Sequence, residues 1–303
     1  MSVMRLNPIY HKEMMIRARG IKTTVLIVFY NTILAIVGLV YFYIAFENKK
    51  MFGLPVSYST MLQIYSFLAA IEFILVLFIV PGLTAGSIAG EREKQTLDIL
   101  LSTNLKPIQI INGKLFTSIT IMIILALSSL PIIAIVFSIG GISFYNLLEY
   151  MILIIVTAFY IGSIGMLIST VLKRTTAATV ITYAVLLFLL VGSFLFIRVV
   201  VLVKENKLLV EGSTEIITLG NYILALLGNP LYSFLELINK QTGTTSNLLY
   251  YFNYYKEGNH YIRRNWFEIS MIVQLLLGTV LCTLSANYLN PWRQNFLRKN
   301  KKL

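Results

Sequence analysis

Carboxylates are scarce in this chain, and their placement is uneven. Glu72 stands alone inside an apolar run, 62–85, long enough to cross a bilayer. An ionisable group at that depth costs about 2.5–3.5 kcal/mol on insertion scales, so it must face protein or a wet cavity. Three roles are open to it: a protonated carboxyl bonded to a neighbouring helix, a lining group of a translocation path, or a carrier of a proton or cation. Other chemistry is thin. The sole aspartate, Asp98, excludes a paired-aspartate intramembrane protease. Gly162-Ser163-Ile164-Gly165 has the outline of a serine-nucleophile turn but no base within the membrane, and it reads as small residues for helix packing. Cys282 is alone in an apolar run, so it forms no intrachain disulfide or metal cluster. No G-x-x-x-x-G-K-[ST] occurs: Gly113-Lys114 lacks the upstream glycine and is followed by Leu115. The chain therefore holds no phosphate-cradling loop.

The elements that position these residues are membrane spans. Of the 303 residues 57% are hydrophobic and only 13% charged, about half the charged share of a soluble domain; mean hydropathy is +0.78. Crossing about 30 Å of hydrocarbon takes about 20 apolar residues in a helix. Six stretches qualify: 23–46, 62–85, 115–139, 147–172, 177–203 and 267–289. Pro81 and Pro131 interrupt two of them, which membrane helices tolerate. The first stretch is too long for a cleavable signal and has no small-residue cleavage site after it.

The net charge of +12 flanks these runs and is not interleaved with stacking aromatics, so it marks topology and anionic lipid contact and not nucleic acid. Arg5, Lys12, Arg17, Arg19 and Lys22 precede the first run; Arg92, Lys94, Lys106 and Lys114 join the second to the third. Lys173-Arg174 joins the fourth to the fifth, and Arg293, Arg298, Lys299, Lys301 and Lys302 follow the last. The positive-inside rule then places both termini in the cytoplasm. His11 and His260 fall on opposite sides and share no metal. Glu149 and Glu268 lie at span ends, where exposure is cheap, and Arg198 is expected to snorkel. The stretch 216–238 is apolar enough for a seventh span, but Gly228-Asn229-Pro230 splits it into pieces too short to cross. It is expected to be a re-entrant or surface-lying helical hairpin on the outer side.

The segment after the second run is the most informative. Gly82, Gly86 and Gly90 recur every four residues, a small-residue face for close helix approach, whether within the bundle or at a gating or dimer contact. Leu97, Leu100, Leu101, Leu105 and Ile108 then keep helical spacing, with Glu91, Lys94, Asp98 and Ser102 on a polar side. Glu91 and Glu93 suit a helix start, and Pro107 limits the helix. An amphipathic cytoplasmic helix over about 91–105 can lie on lipid or fit a groove on a soluble partner.

Residues 90–103, Gly-Glu-Arg-Glu-Lys-Gln-Thr-Leu-Asp-Ile-Leu-Leu-Ser-Thr, with Gly113-Lys114-Leu115 beyond, resemble the signature of ABC-2-type permeases. The leader Asn7-Pro8-Ile9-Tyr10-His11-Lys12-Glu13 and Asn229-Pro230-Leu231-Tyr232 before the last run are similar to that family too. Gln95 stands where the family often has Gly, and Asn104 where Pro is common. The resemblance implies an all-α polytopic fold like the type V exporters, with six spans and an amphipathic elbow helix within 1–22. Ile9, Met14, Met15, Ile16 and Ile21 of the elbow would face lipid. It implies that Glu91, Arg92, Glu93, Thr96, Leu97, Leu100 and Leu101 form a coupling helix for a separate ABC ATPase subunit, which binds the ATP and Mg. It implies a path between two permease subunits, homo- or heterodimeric, in a bacterial cytoplasmic membrane.

The domain plan is thus a leader at 1–22, a membrane domain at 23–290 with an outer loop at about 204–264, and a basic cytoplasmic tail at 291–303. An ABC exporter subunit is the first functional reading, its cargo an amphipathic or hydrophobic molecule such as a peptide. A secondary transporter or channel using Glu72, and a membrane scaffold or sensor, are the alternatives.

Overall fold

The computed structural model describes residues 7–51, 53, 58–140, 143–211, 220–243 and 265–290. His260, the tail at 291–303 and much of the outer loop lie outside them. The described residues are helical and include no strand. Six helices among them are long and apolar enough to span a membrane. The chain divides into two compact units, residues 1–182 with 278–303, and residues 183–277.

In the first unit, α1 (Pro8–Ala18) is the leader. Asn7 caps it, its side chain accepting from the Ile9 amide, with Pro8 at the first helical position, where its missing N–H costs nothing. The helix ends at Ala18, short of Lys22, and the chain turns at Arg19-Gly20 into α2 (Ile21–Met51). Ile9 also departs from expectation: it is buried in the core, whereas Met15, Ile16 and Ile21 are exposed. The long α3 (Tyr58–Thr84), α6 (Pro107–Gly140) and α7 (Phe144–Val171) pack against one another. Ile64, Phe73 and Val76 of α3, Leu115 and Leu125 of α6, and Leu153 and Ile161 of α7 fill the space between them. Helix α2 rests on α3 and α6, and α1 on α6.

The closest helix approach lies on α7 and not on the glycine stripe after the second span. A Cβ on Gly162 would stand 2.7 Å from Leu115 Cδ1, and one on Gly165 would stand 3.2 Å from Thr84 Cβ and 3.3 Å from the Ala85 amide. Gly82 is exposed, and Cβ atoms on Gly86 and Gly90 would make ordinary contacts with Thr175 Cγ2 at 3.8 and 3.4 Å. The packing role assigned to small residues in membrane helices is met at Gly162 and Gly165, and also at Gly38 and Gly278, where a Cβ would stand 2.9 Å from Leu68 Cδ2 and 2.6 Å from Phe159 Cε1. Glu149 is buried at 7% exposure, in contrast to the cheap exposure expected at a span end.

The charged segment after α3 is two short helices and not one. Helix α4 (Ala89–Glu93) and α5 (Leu97–Leu101) are separated at Lys94–Thr96. Gln95 there has φ 58°, the only positive φ of a non-glycine residue among those described. That left-handed conformation ends α4, costs an L-residue about 1–2 kcal/mol and suits glycine. It accounts for the glycine that the resembling permeases often carry at this place.

The second unit contains the end of α8 (Thr175–Leu187), a π-helical turn (Phe188–Gly192), α9 (Ser193–Glu211), a 3-10 helix (Gly220–Gly228), α10 (Pro230–Thr242) and the start of α11 (Trp266–Leu289). Asn229 breaks the stretch 216–238, whose first residues lie outside those described. Its Oδ1 accepts from the Leu231 amide and caps α10, and its Nδ2 donates to the Leu190 carbonyl at 3.0 Å and to Ser193 Oγ at 2.6 Å. A π turn shifts backbone pairing from the α pattern, and Asn229 bonds directly to a carbonyl of that turn. Tyr232, next in the same motif, packs with Phe194 and Trp266. Deeper, Gln274 Nε2 donates to Ser233 Oγ at 2.8 Å and joins α10 to α11. Lys240 and Glu268 pair at 3.5 Å on the surface, a contact worth about 0–1 kcal/mol.

Candidate functional site

The charged row 91–93 is folded back into the first unit, each side chain by a different route. Lys114, near the start of α6 and only 6% exposed in its side chain, donates to Glu13 Oε1 of α1 at 2.6 Å and to Glu91 Oε1 of α4 at 3.0 Å. One buried ammonium thus ties leader, charged segment and third span together. A lysine is suited to this, since its point charge on a flexible stem can serve two carboxylates approaching from different helices. Thr96 Oγ1 closes the arrangement by donating to Glu91 Oε2. Alongside, Asn7 Nδ2 donates to the Gln109 carbonyl at 2.5 Å, and the Tyr10 and Thr120 hydroxyls lie 3.1 Å apart.

Arg92 and Glu93 act on the turn between α7 and α8. The Arg92 guanidinium donates to the Leu172 carbonyl at 2.8 Å and the Thr170 carbonyl at 3.1 Å, at the C-terminus of α7. Glu93 accepts from the Thr175 amide at 2.9 Å and the Thr175 hydroxyl at 2.7 Å, at the N-terminus of α8. A cation at a helix C-terminus and an anion at the next N-terminus each complement the macrodipole and the unpaired backbone groups there. Ser169 Oγ of α7 returns the favour, accepting from the Ile88 and Ala89 amides at 3.0 Å each, at the start of α4. The segment 88–93 is bonded to α6, to α7 with its C-cap and to the start of α8, and through Lys114 it is linked to α1.

The apolar side of the segment also points inward. Leu97 is buried in a cluster with Ile9, Ile88, Ile110, Ile111 and Leu115, and Leu100 and Leu101 pack against it. What remains outward is Lys94, Gln95, Asp98 and Ile99, with Ser102, Thr103 and Asn104 beyond. Ile99 is 68% exposed, an aliphatic side chain amid polar neighbours. The seven residues expected to meet an ATPase therefore divide: Glu91, Arg92, Thr96, Leu97, Leu100 and Leu101 face their own chain, and Glu93 is exposed but engaged with Thr175. Sequence reasoning missed Glu13, Lys114, Ser169 and Thr175. Glu13 and Lys114 stood inside the quoted motifs, and a lysine opening an apolar run was the available signal.

Glu72 lies elsewhere, within the bundle of the first unit at 1% exposure. Tyr30 of α2 donates to its Oε1 at 2.9 Å, and Ser129 of α6 bonds the same oxygen at 2.6 Å. It is enclosed by helices of a single subunit.

The sequence model of the ABC-2 family transporter proteins matches residues 7–287, from the cap of the leader nearly to the end of α11. The chain belongs to the ABC-2 transporter family. It is a multi-pass membrane permease of an ABC transporter, and this sets aside the secondary-transporter and scaffold readings. No curated protein is similar enough to the permease to count as a match. The motifs that resembled the family, 7–13, 90–103, 113–115 and 229–232, all fall inside the matched span. Three of the four meet in the first unit of the permease, through Asn7, Glu13, Glu91 and Lys114.

Proposed function

We propose that this permease is the membrane subunit of an ABC exporter and that the α4–α5 segment is where a separate ATPase subunit docks. ATP and Mg are bound by that partner. The observation that carries the reading is the division of the segment into two faces. Glu91, Arg92 and Glu93 are bonded to α6, α7 and α8 of the permease, while Lys94, Gln95, Asp98 and Ile99 are exposed. A partner gripping the outer face would move a segment already fastened to three helices and, through Lys114, to the leader. Docking and transmission are then separate tasks of separate residues, which a surface-lying lipid anchor would not need.

The permease works as a homo- or heterodimer in a bacterial cytoplasmic membrane, with α1 as the elbow at the inner face and both termini in the cytoplasm. Its cargo is an amphipathic or hydrophobic molecule such as a peptide, in keeping with the apolar and aromatic exposed faces of α2 and α9, including Phe29, Tyr43 and Phe196. Affinity purification from the native membrane tests the reading. Wild-type permease is expected to bring an ATP-hydrolysing subunit in stoichiometric amount; a transport-competent assembly without one refutes it.

A further inference from the structure

The interior of the first unit holds a polar cluster that the coupling scheme does not use. Glu72 of α3 is 1% exposed. Tyr30 Oη of α2 donates to its Oε1 at 2.9 Å. Ser129 Oγ of α6 lies 2.6 Å from that same oxygen and 2.8 Å from the Ala126 carbonyl oxygen. Glu72 Oε2 is buried without a hydrogen-bond partner among the described residues.

Counting protons decides the state of the carboxyl. A serine hydroxyl has one proton to donate. With Glu72 ionised, Ser129 would face two acceptors with that single proton, and one contact would be a bare oxygen pair in a dry core. With Glu72 neutral, its own O–H donates to Ser129 Oγ, Ser129 donates to Ala126, and Tyr30 donates to the carboxyl oxygen. Each contact then holds one proton, as buried polar groups require.

Among the described residues no positive group offsets a charge at this place. Among the described residues the titratable groups facing Glu72 are Tyr30 from α2, Tyr65 on α3 itself and Tyr150 from α7, with Glu149 of α7 acting on Tyr65; α6 presents Ser129. Tyr150 Oη donates to the Ala69 carbonyl at 3.0 Å. The buried cation among the described residues, Lys114, sits on the same helix as Ser129 but about 22 Å away at a rise of ~1.5 Å per residue.

We propose that Glu72 is a proton-binding site within the membrane domain, whose bound proton ties α3 to α6 beside the Tyr30 contact from α2. Losing that proton leaves Ser129 with one proton for two acceptors, so ionisation of Glu72 costs one of the two contacts and leaves an uncompensated charge in the core. The inference rests on packing inside one subunit and is independent of where an ATPase docks.

Infrared difference spectroscopy of the full-length permease in lipid nanodiscs, wild type against Glu72→Gln, reads the site directly. With its oxygen at the Oε1 position the amide accepts from both Tyr30 and Ser129, so this variant keeps the packing. The expected result near neutral pH is loss of a protonated-carboxyl C=O band, with Glu149 cancelling in the difference. Loss of carboxylate bands alone overturns the proposal. Should Glu72→Gln fail to fold, the comparison of wild type with Tyr30→Phe replaces it. A shift of the protonated-carboxyl band is then expected, and an unchanged protonated-carboxyl region overturns the proposal.

Discussion

Lys114 and Glu13, 101 residues apart in the chain, pair at 2.6 Å between the third span and the leader helix. The lysine's second partner, Glu91, belongs to the segment on which an ATPase is proposed to act. The leader is therefore fastened to the same charge as that segment.

Removing the ammonium leaves two carboxylates facing each other. Breaking a fully buried pair costs about 3–5 kcal/mol, and the partial exposure of both carboxylates here lowers that to about 2–3. Lys114→Met is expected to lower the thermal unfolding midpoint of the purified permease and to weaken transport per ATP hydrolysed, while the ATPase still co-purifies. Unchanged coupling in this variant would show that the leader and the segment work independently.

Ile99 is the apolar centre of the outward face. Ile99→Asp is expected to leave stability within about 0.5 kcal/mol, as for other surface changes, yet to abolish recovery of the ATPase. Thermal unfolding and affinity purification on the same preparation separate the two effects. A partner still bound at wild-type level would move the docking site away from α5.

Gln95 holds a backbone conformation that glycine adopts freely. Gln95→Gly is expected to stabilise the permease by about 0.5–1 kcal/mol, the left-handed penalty less the extra chain entropy of glycine. Denaturant or thermal unfolding measures this, and a loss of stability would contradict the φ assigned to residue 95.

At Gly165 the expected sign is reversed. A side chain there would press on Thr84 and on the backbone at Ala85, so Gly165→Val is expected to cost upwards of about 1–3 kcal/mol as overpacking. The same substitution at Gly82, which is exposed, is expected to be nearly neutral. Equal effects at both positions would argue against α7 as the close-approach face.

Much of the architecture was legible because it depends on local physics. Apolar run length located the six span-length helices found among the described residues, and Gly228-Asn229-Pro230 marked the break that Asn229 caps. Periodicity misled where a single backbone angle intervened: Leu97 to Ile108 keep helical spacing, but Gln95 divides the segment before α5 begins. The side-chain roles were the least legible. Glu91 and Glu93 were expected at a docking surface because the family resemblance implied a coupling helix there, while their partners, Lys114 and Thr175, lie 23 and 82 residues further on. Ile9 looked like a lipid-facing residue until α6 was placed against it. Pairings of that range follow from tertiary packing, which one sequence does not display.

The central claim is that an ATPase touches the exposed side of the α4–α5 segment. A single reactive cysteine at Ile99, in a Cys282→Ser background, with a short bifunctional cross-linker in native membranes, tests it most directly. The expected product is a conjugate of the permease with an ATP-binding polypeptide, lost when the cysteine is moved to the buried position Leu97. A conjugate at Ile99 with lipid or a second permease alone, in membranes that still transport, would contradict the account.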